Sequence, residues 1–144
     1  MKALIQRVTS ASVSINGEVY SAIGRGFVLF LCIVKGDSQQ ELEYISKKAV
    51  NLRIFDDKDG KMNLSLKDIN GEALVISQFT LASDCKKGNR PSFDRAETPD
   101  KAQAMYNDFV RLLTEQGVRV SAGVFAADMQ VSLINDGPVT FMLE

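Results

Sequence analysis

The spacing of apolar and polar positions makes the first third of the chain β-structure. The segments ALIQRV (3–8), ASVSIN (11–16) and EVYSAIG (18–24) alternate in part, and Asn16-Gly17 between the last two is a two-residue hairpin signal. GFVLFLCIV (26–34) is a continuous apolar run of strand length, which predicts a strand buried on both faces. A helix is predicted from Ser38, where Glu41 completes a capping box and Leu42, Ile45, Ala49 and Leu52 fall on one face. GEALVISQFTLAS holds a second buried strand, expected to run from Ala73 to about Leu81. Thr98 as N-cap and Pro99 at the first helical position open a second helix. Its core stripe is Ala102, Met105, Tyr106, Phe109 and Leu113, and Gly117 is placed to end it. The tail returns to alternation in VRVSAGVFAA, MQVSLIN and PVTFMLE, the last two reading as a hairpin across Asn135-Asp136-Gly137-Pro138.

About seven to nine strands and two helices result, and two helices cannot cover both faces of that much sheet. The expected fold class is therefore mixed α/β: two packed β layers with the helices on one side, or a sheet curled towards a barrel. With 144 residues and no linker, repeat or low-complexity segment, one domain over 1–144 is expected.

Composition narrows the chemistry. The chain has no His, no Trp and two Cys, so the commonest general base is missing and no Cys/His spacing suits zinc. Asp57, Asp59 and Gly60 invite a calcium-loop reading, but Phe55 and Leu66 would then occupy its first and last ligand positions, and that reading fails. No metal and no cofactor are expected. The opening MKALIQRV turns polar at Gln6 and no apolar run reaches membrane-spanning length, so a cytoplasmic protein with no membrane contact is expected. In a reducing cytosol a Cys32–Cys85 disulfide is disfavoured, and Cys85 beside Lys86 and Lys87 reads as an exposed thiol. A net charge of −1 gives no global footprint for nucleic acid. The local cluster Lys86, Lys87 and Arg90 reads by itself as a solvated face.

Polar residues interrupt the β pattern in two places. Ser77, Gln78 and Thr80 stand where ALVI had led one to expect core. They mark either a strand emerging into solvent or a polar strand end whose freed backbone N–H groups can stabilise an oxyanion. Thr80 offers a hydroxyl nucleophile, with no base in view to activate it. In NDGPVT (135–140) a trans hairpin turn is the favoured reading, since roughly 5–6% of X-Pro bonds are cis. A cis Gly137–Pro138 bond would turn two carbonyls into an acceptor pair suited to an ammonium group.

Together SQFTL (77–81) and NDGPVT resemble the two signature motifs of the D-aminoacyl-tRNA deacylases, whose pattern is SQFTL followed by NxGPVT, with Asp136 at the variable position. The resemblance runs end to end through MKALIQRV, RIFDDKDGKMNLS, KKGNRPSF and FAADMQVSL. It implies hydrolysis of the ester of D-aminoacyl-tRNA, and of glycyl-tRNA mischarged on tRNA-Ala, by a homodimer with active sites at the subunit interface. It also implies a cis Gly137–Pro138 that reaches into the partner's pocket, binds the substrate ammonium and leaves no room for an L side chain. The Phe79 and Thr80 N–H groups would stabilise the oxyanion, Ser77 and Gln78 would shape the pocket, and the ribose 2′-OH would assist the water. The same resemblance puts Phe125, Ala126 and Met129 near the terminal adenine, makes Arg7 a brace for the Gly-Pro loop, and turns Lys86, Lys87 and Arg90 into contacts for tRNA phosphates. Three alternatives stand beside it: a small RNA- or nucleotide-binding module without turnover, the related trans Gly-Pro deacylase that removes L-alanine, and a small-ester hydrolase using Thr80.

Overall fold

The computed structural model describes residues 1–144. One long strand is its spine. β1 (Lys2–Ile15) pairs along one edge with β3 (Gly26–Cys32) over its first half and with β2 (Glu18–Ile23) over its second. Its other edge carries β8 (Gln130–Leu143), also antiparallel. The two segments ALIQRV and ASVSIN, read as separate alternating pieces, are thus one strand. The register shifts between Val8 and Ser10, so that odd-numbered side chains point to the helix-covered core before it (Ala3, Ile5) and to the opposite core after it (Ala11, Val13), where Val8 already points. One extra residue in a ladder has this effect, and it bends the strand. Asn16 and Gly17 lie at φ +51° and +80°, the conformation a tight hairpin needs.

Beyond β3 the pairing becomes parallel. β6 (Glu72–Ser77) lies beside β3, and β7 (Arg119–Ala122) beside β6. Parallel neighbours require crossovers, and α1 (Gln39–Asn51) and α2 (Pro99–Glu115) supply them. Both helices pack on one face: Leu42, Ile45, Ala49 and Val50 meet Met105, Tyr106, Phe109 and Leu113 over Ile5, Leu29 and Val75. The opposite face of the sheet closes on itself around Val8, Val13, Val28, Leu74 and Ile76. The Ser21 hydroxyl on β2 donates to the Ala122 carbonyl of β7 at 3.0 Å, drawing the two ends of the sheet towards each other. The fold is a mixed α/β, nearly closed barrel-like sheet with both helices on one side, and a second small sheet of β4 (Phe55–Asp56) and β5 (Met62–Leu64). No helix is long and apolar enough to cross a membrane.

The capping box on α1 is present, with Ser38 and Glu41 bonded reciprocally. Leu52 caps the C-terminal end of α1 and is half-buried. Thr98 occupies the N-cap of α2 without a side-chain bond, and its N–H is instead satisfied by Glu97 at 2.9 Å. Cys32 and Cys85 are both free, the first buried and the second exposed.

Tyr106 ties α2 to the sheet by donating to the Val75 carbonyl at 2.8 Å. Burial pushes its phenol from 10.0 up to about 12. The neutral phenol is thus favoured in the folded state, a contribution fully present below pH 10 and lost as pH rises towards 12. Chemical denaturation across that window is expected to show stability falling with pH, with a visibly shallower slope in Tyr106→Phe.

Candidate active site

The first part of the site is made where β6 runs out. Gln78 donates its N–H to the Leu31 carbonyl at 2.7 Å, and Leu31 is paired with Ser77 at the end of the ladder. The strand expected to reach Leu81 stops at Ser77, and Phe79–Ala82 form a single 3-10 turn. The reason is local: Gln78 and Thr80 have no place in the apolar layer, and the turn lets Ala82 be buried while Phe79 and Thr80 face outward. The turn is closed by Leu81 N–H to Gln78 O and Ser83 N–H to Thr80 O, at 3.2 and 3.0 Å. Phe79 and Thr80 supply its first N–H groups, which have no acceptor within a helical turn, and no loop carbonyl or side chain accepts from them. Cys32 lies beneath, its Sγ 3.6 Å from the Phe79 carbonyl, and burial pushes its thiol pKa up. The Gln78 amide donates to the Thr80 hydroxyl. An amide N–H is no base, so nothing here activates Thr80 Oγ1.

This turn borders a cleft of about 530 Å³. Ser77, Gln78 and Phe79 form one wall, and Phe125, Ala126 and Met129 face them. Met129 enters because residue 123 is glycine; a Cβ there would stand 2.7 Å from the Met129 sulfur. Ala126 holds φ +61°, an uncommon conformation for alanine, at the cleft edge. VRVSAGVFAA, read as β throughout, is strand only to Ala122; a turn from Gly123 carries Phe125 and Ala126 across to the cleft. Tyr106 and Ala102 of α2 line the same cleft, with the Tyr106 ring 6.1 Å from that of Phe125. Two carboxylates, Glu97 and Asp128, also line it. Lys101 and the Thr98 N–H hold the Glu97 carboxyl below the usual carboxylate range. Nothing in the sequence singled out Glu97 or Asp128, and Tyr106 was legible only as a core position.

The second part lies on β8. The hairpin expected across NDGPVT does not form. Gln6 pairs with Thr140 and Val8 with Asn135, so Asp136–Val139 loop out of a continuous strand opposite Arg7. The neck of this bulge is closed by side chains: Asn135 accepts from the Val139 N–H at 2.9 Å and donates to Thr140 Oγ1 at 3.0 Å, where Gln6 also donates at 3.2 Å. The Gly137–Pro138 bond is cis, and both residues are exposed. Arg7 is buried behind them. Its Nε donates to the Asp136 carbonyl at 3.0 Å and its Nη1 to the Ile54 carbonyl at 2.8 Å, and its Nη1 meets Asp56 at 3.2 Å.

The structure thus brings Ser77, Gln78 and Phe79 together with Phe125, Ala126 and Met129, with Thr80 at the edge. Arg7, Gly137 and Pro138 form a separate group that does not line this cleft. Lys86, Lys87 and Arg90 sit on an exposed loop that leaves the 3-10 turn and is pinched by bonds between Asp84 and Ser92. Phe93 returns from that loop to pack edge-on against Phe79, ring centres 5.1 Å apart. No group of three or more His, Cys, Asp or Glu side chains is arranged to hold a metal ion.

Known proteins share this fold. A solved structure described as "Structural Analysis of a probable eukaryotic D-amino acid tRNA deacylase" superposes with a TM-score of 0.84 over 99% of this chain and 97% of its own, at 19% identity, which shows the fold. A second, described as the c-Myc DNA Unwinding Element Binding Protein, reaches a TM-score of 0.94 at 46% identity, covering 100% of this chain and 98% of that one. The chain is 57% identical over 143 residues to the D-aminoacyl-tRNA deacylase of Thermodesulfovibrio yellowstonii, covering 99% of this chain and 98% of that protein. It is 51% identical over 144 residues to the protein of the same name from Thermotoga petrophila, at 100% and 97% coverage. Fold and relatives together define a hydrolase. The profile of the D-Tyr-tRNA(Tyr) deacylases matches residues 4–144, and the chain belongs to that family.

Proposed function

We propose that this chain, as one unit over 1–144, hydrolyses the ester joining a D-amino acid to the terminal ribose of tRNA, releasing free D-amino acid and tRNA. The observation that carries the reading is the pair of unused N–H groups, on Phe79 and Thr80, presented at the rim of an apolar cleft. An aminoacyl ester is already activated, so the protein's task is to orient it and to stabilise the negative oxygen that forms when water adds to the carbonyl. The two N–H groups take that oxygen, Ser77 and Gln78 shape the pocket, and the ribose 2′-OH helps position the water. Phe125, Ala126 and Met129 hold the terminal adenine. Lys86, Lys87 and Arg90 contact acceptor-stem phosphates, weakly and with salt dependence.

In this reading Gly137 and Pro138 act in the other subunit of a homodimer. They lie outside their own chain's cleft, on a strand whose second edge has no partner and whose Ile134, Phe141 and Met142 are exposed. Their carbonyls take the substrate ammonium and exclude an L side chain. Achiral glycine passes, so glycyl-tRNA on tRNA-Ala is hydrolysed as well. The enzyme works in the cytoplasm, where its substrate is made.

The test is parallel hydrolysis of D- and L-tyrosyl-tRNA at sub-stoichiometric protein, against a no-protein control. Rapid loss of the D ester with the L ester spared is expected; loss of both overturns chiral selection. Thr80→Ala is expected to keep activity within about fivefold, because its backbone N–H remains and its hydroxyl has no base. Abolished turnover with tRNA binding intact would make Thr80 a nucleophile after all. A second reading, a nucleic-acid binder without turnover, is favoured by the DNA-binding name of the 46% identical structure. Retention of tRNA with neither ester cleaved would establish it.

A further inference from the structure

We infer that the β4–β5 hairpin belongs to the stereochemical filter, with Asp56 as a positioning residue that acts through Arg7 on the Gly137–Pro138 bulge. The inference rests on the proposed role of that bulge and extends it to a part of the chain otherwise read as a polar turn.

Arg7 is a two-sided clamp. On one side Nε holds the Asp136 carbonyl at 3.0 Å and lies 3.5 Å from the Asp136 carboxylate. On the other side Nη1 is held by the Ile54 carbonyl at 2.8 Å and by Asp56 at 3.2 Å. Nη2 lies 3.3 Å from where a Cβ on Gly137 would stand, so the guanidinium backs directly onto the residue that does the excluding. A planar, forked cation transmits position only if its far side is fixed.

The hairpin is built to fix it. Ile54 and Phe55 are anchored in the core, and Arg25 stacks 5.9 Å above the Phe55 ring. Arg53 ties the segment leading into the hairpin to the Asn63 carbonyl at 2.8 Å. At the tip the Asp57 carboxylate accepts from the Asp59 and Lys61 N–H groups, and the Lys61 bond holds it below the usual carboxylate range. The acidic, glycine-containing turn that fails as a calcium loop thus closes a stiff abutment for Arg7.

The experiment measures kcat/KM for D- and L-tyrosyl-tRNA on the full-length protein. Asp56→Ala is expected to lower the D-over-L ratio about tenfold, since misplacing a positioning element by an ångström costs up to about a hundredfold. Asp59→Ala, in the same hairpin but without contact to Arg7, is expected to keep the wild-type ratio. In an Arg7→Lys background Asp56→Ala is expected to add less than twofold, because both changes cut the same link. Should Asp56→Ala not stay folded at the assay temperature, Asp56→Asn is judged by the same criterion. An unchanged ratio in a folded variant, an equal loss in Asp59→Ala, or full additivity with Arg7→Lys each overturns the inference. A wild-type protein that does not discriminate at all refutes the underlying function instead.

Discussion

Gly137→Ala is expected to lower D-aminoacyl-tRNA hydrolysis by about a hundredfold while the protein stays folded. Residue 137 sits at φ +133°, where L side chains are rare, and its ideal Cβ would stand 2.6 Å from Val139 Cγ2 and 3.0 Å from the Val139 nitrogen. Neither neighbour can retreat freely. The Val139 N–H is held by Asn135 at 2.9 Å, and Arg7 Nη2, 3.3 Å away, belongs to a guanidinium pinned from two sides. The bulge must therefore shift as a whole, and the two carbonyls move with it. The cost in stability is about 1–3 kcal/mol, because the strain is local and the residue is exposed. Single-turnover hydrolysis of D-tyrosyl-tRNA beside a thermal melt separates the two effects. Near-wild-type turnover would show that the position of this bulge does not matter to the reaction.

Arg7→Met is expected to lower stability by about 2–4 kcal/mol, mostly through the Ile54 and Asp136 carbonyls it leaves without a donor. Ile54 is buried and its carbonyl bond lies in the interior. The Asp56 and Asp136 carboxylates are each roughly half exposed and re-solvate on losing the cation, so their share is small. A fall in Tm of roughly 10 °C would correspond for a chain of this size. Hydrolysis of the D ester is expected to fall at least about tenfold even well below the new Tm, since the bulge has lost its anchor. Arg7→Lys is expected to recover little, as one ammonium cannot span both sides of the gap. A melt within two degrees of wild type would mean that water replaces the guanidinium at no cost.

Both helices and both buried strands were legible because their signals are local: a capping box at Ser38 and Glu41, a stripe from Met105 to Leu113, an unbroken run from Phe27 to Cys32. NDGPVT was not, and the reason is physical. Asn, Asp, Gly and Pro serve a hairpin and a bulge equally well. What decides between them is a partner strand long enough to pair on both sides, and that strand is β1 at the other end of the chain. The end of β6 was overrun for a different reason: Gln78 and Thr80, which stop the strand, alternate with Phe79 and Leu81, a pattern that by itself also suits a strand. The motif residues were visible in the sequence, but their division between a cleft and a bulge outside it follows only from the folded chain. Asp56, Glu97 and Tyr106 carried no signal of the places they take, the first against Arg7 and the other two along the cleft. One looked like turn composition, one like surface charge and one like core.

The pairing of β1 with β8 also bears on how the protein is made. Every other neighbour of β1 is available soon after it is synthesised, whereas β8 joins it from the far end of the sequence. Contacts between distant segments are the slow ones to form. On the ribosome the two helices and the central strands can settle while the final strand is still in the exit tunnel. The bulge that carries Gly137 and Pro138 is thus assembled last, after the 3-10 turn with its two free N–H groups has formed. A nascent chain passes through a stage at which it has the turn and not yet the bulge. The step that completes the spine of the sheet is the one that seats the bulge on Arg7.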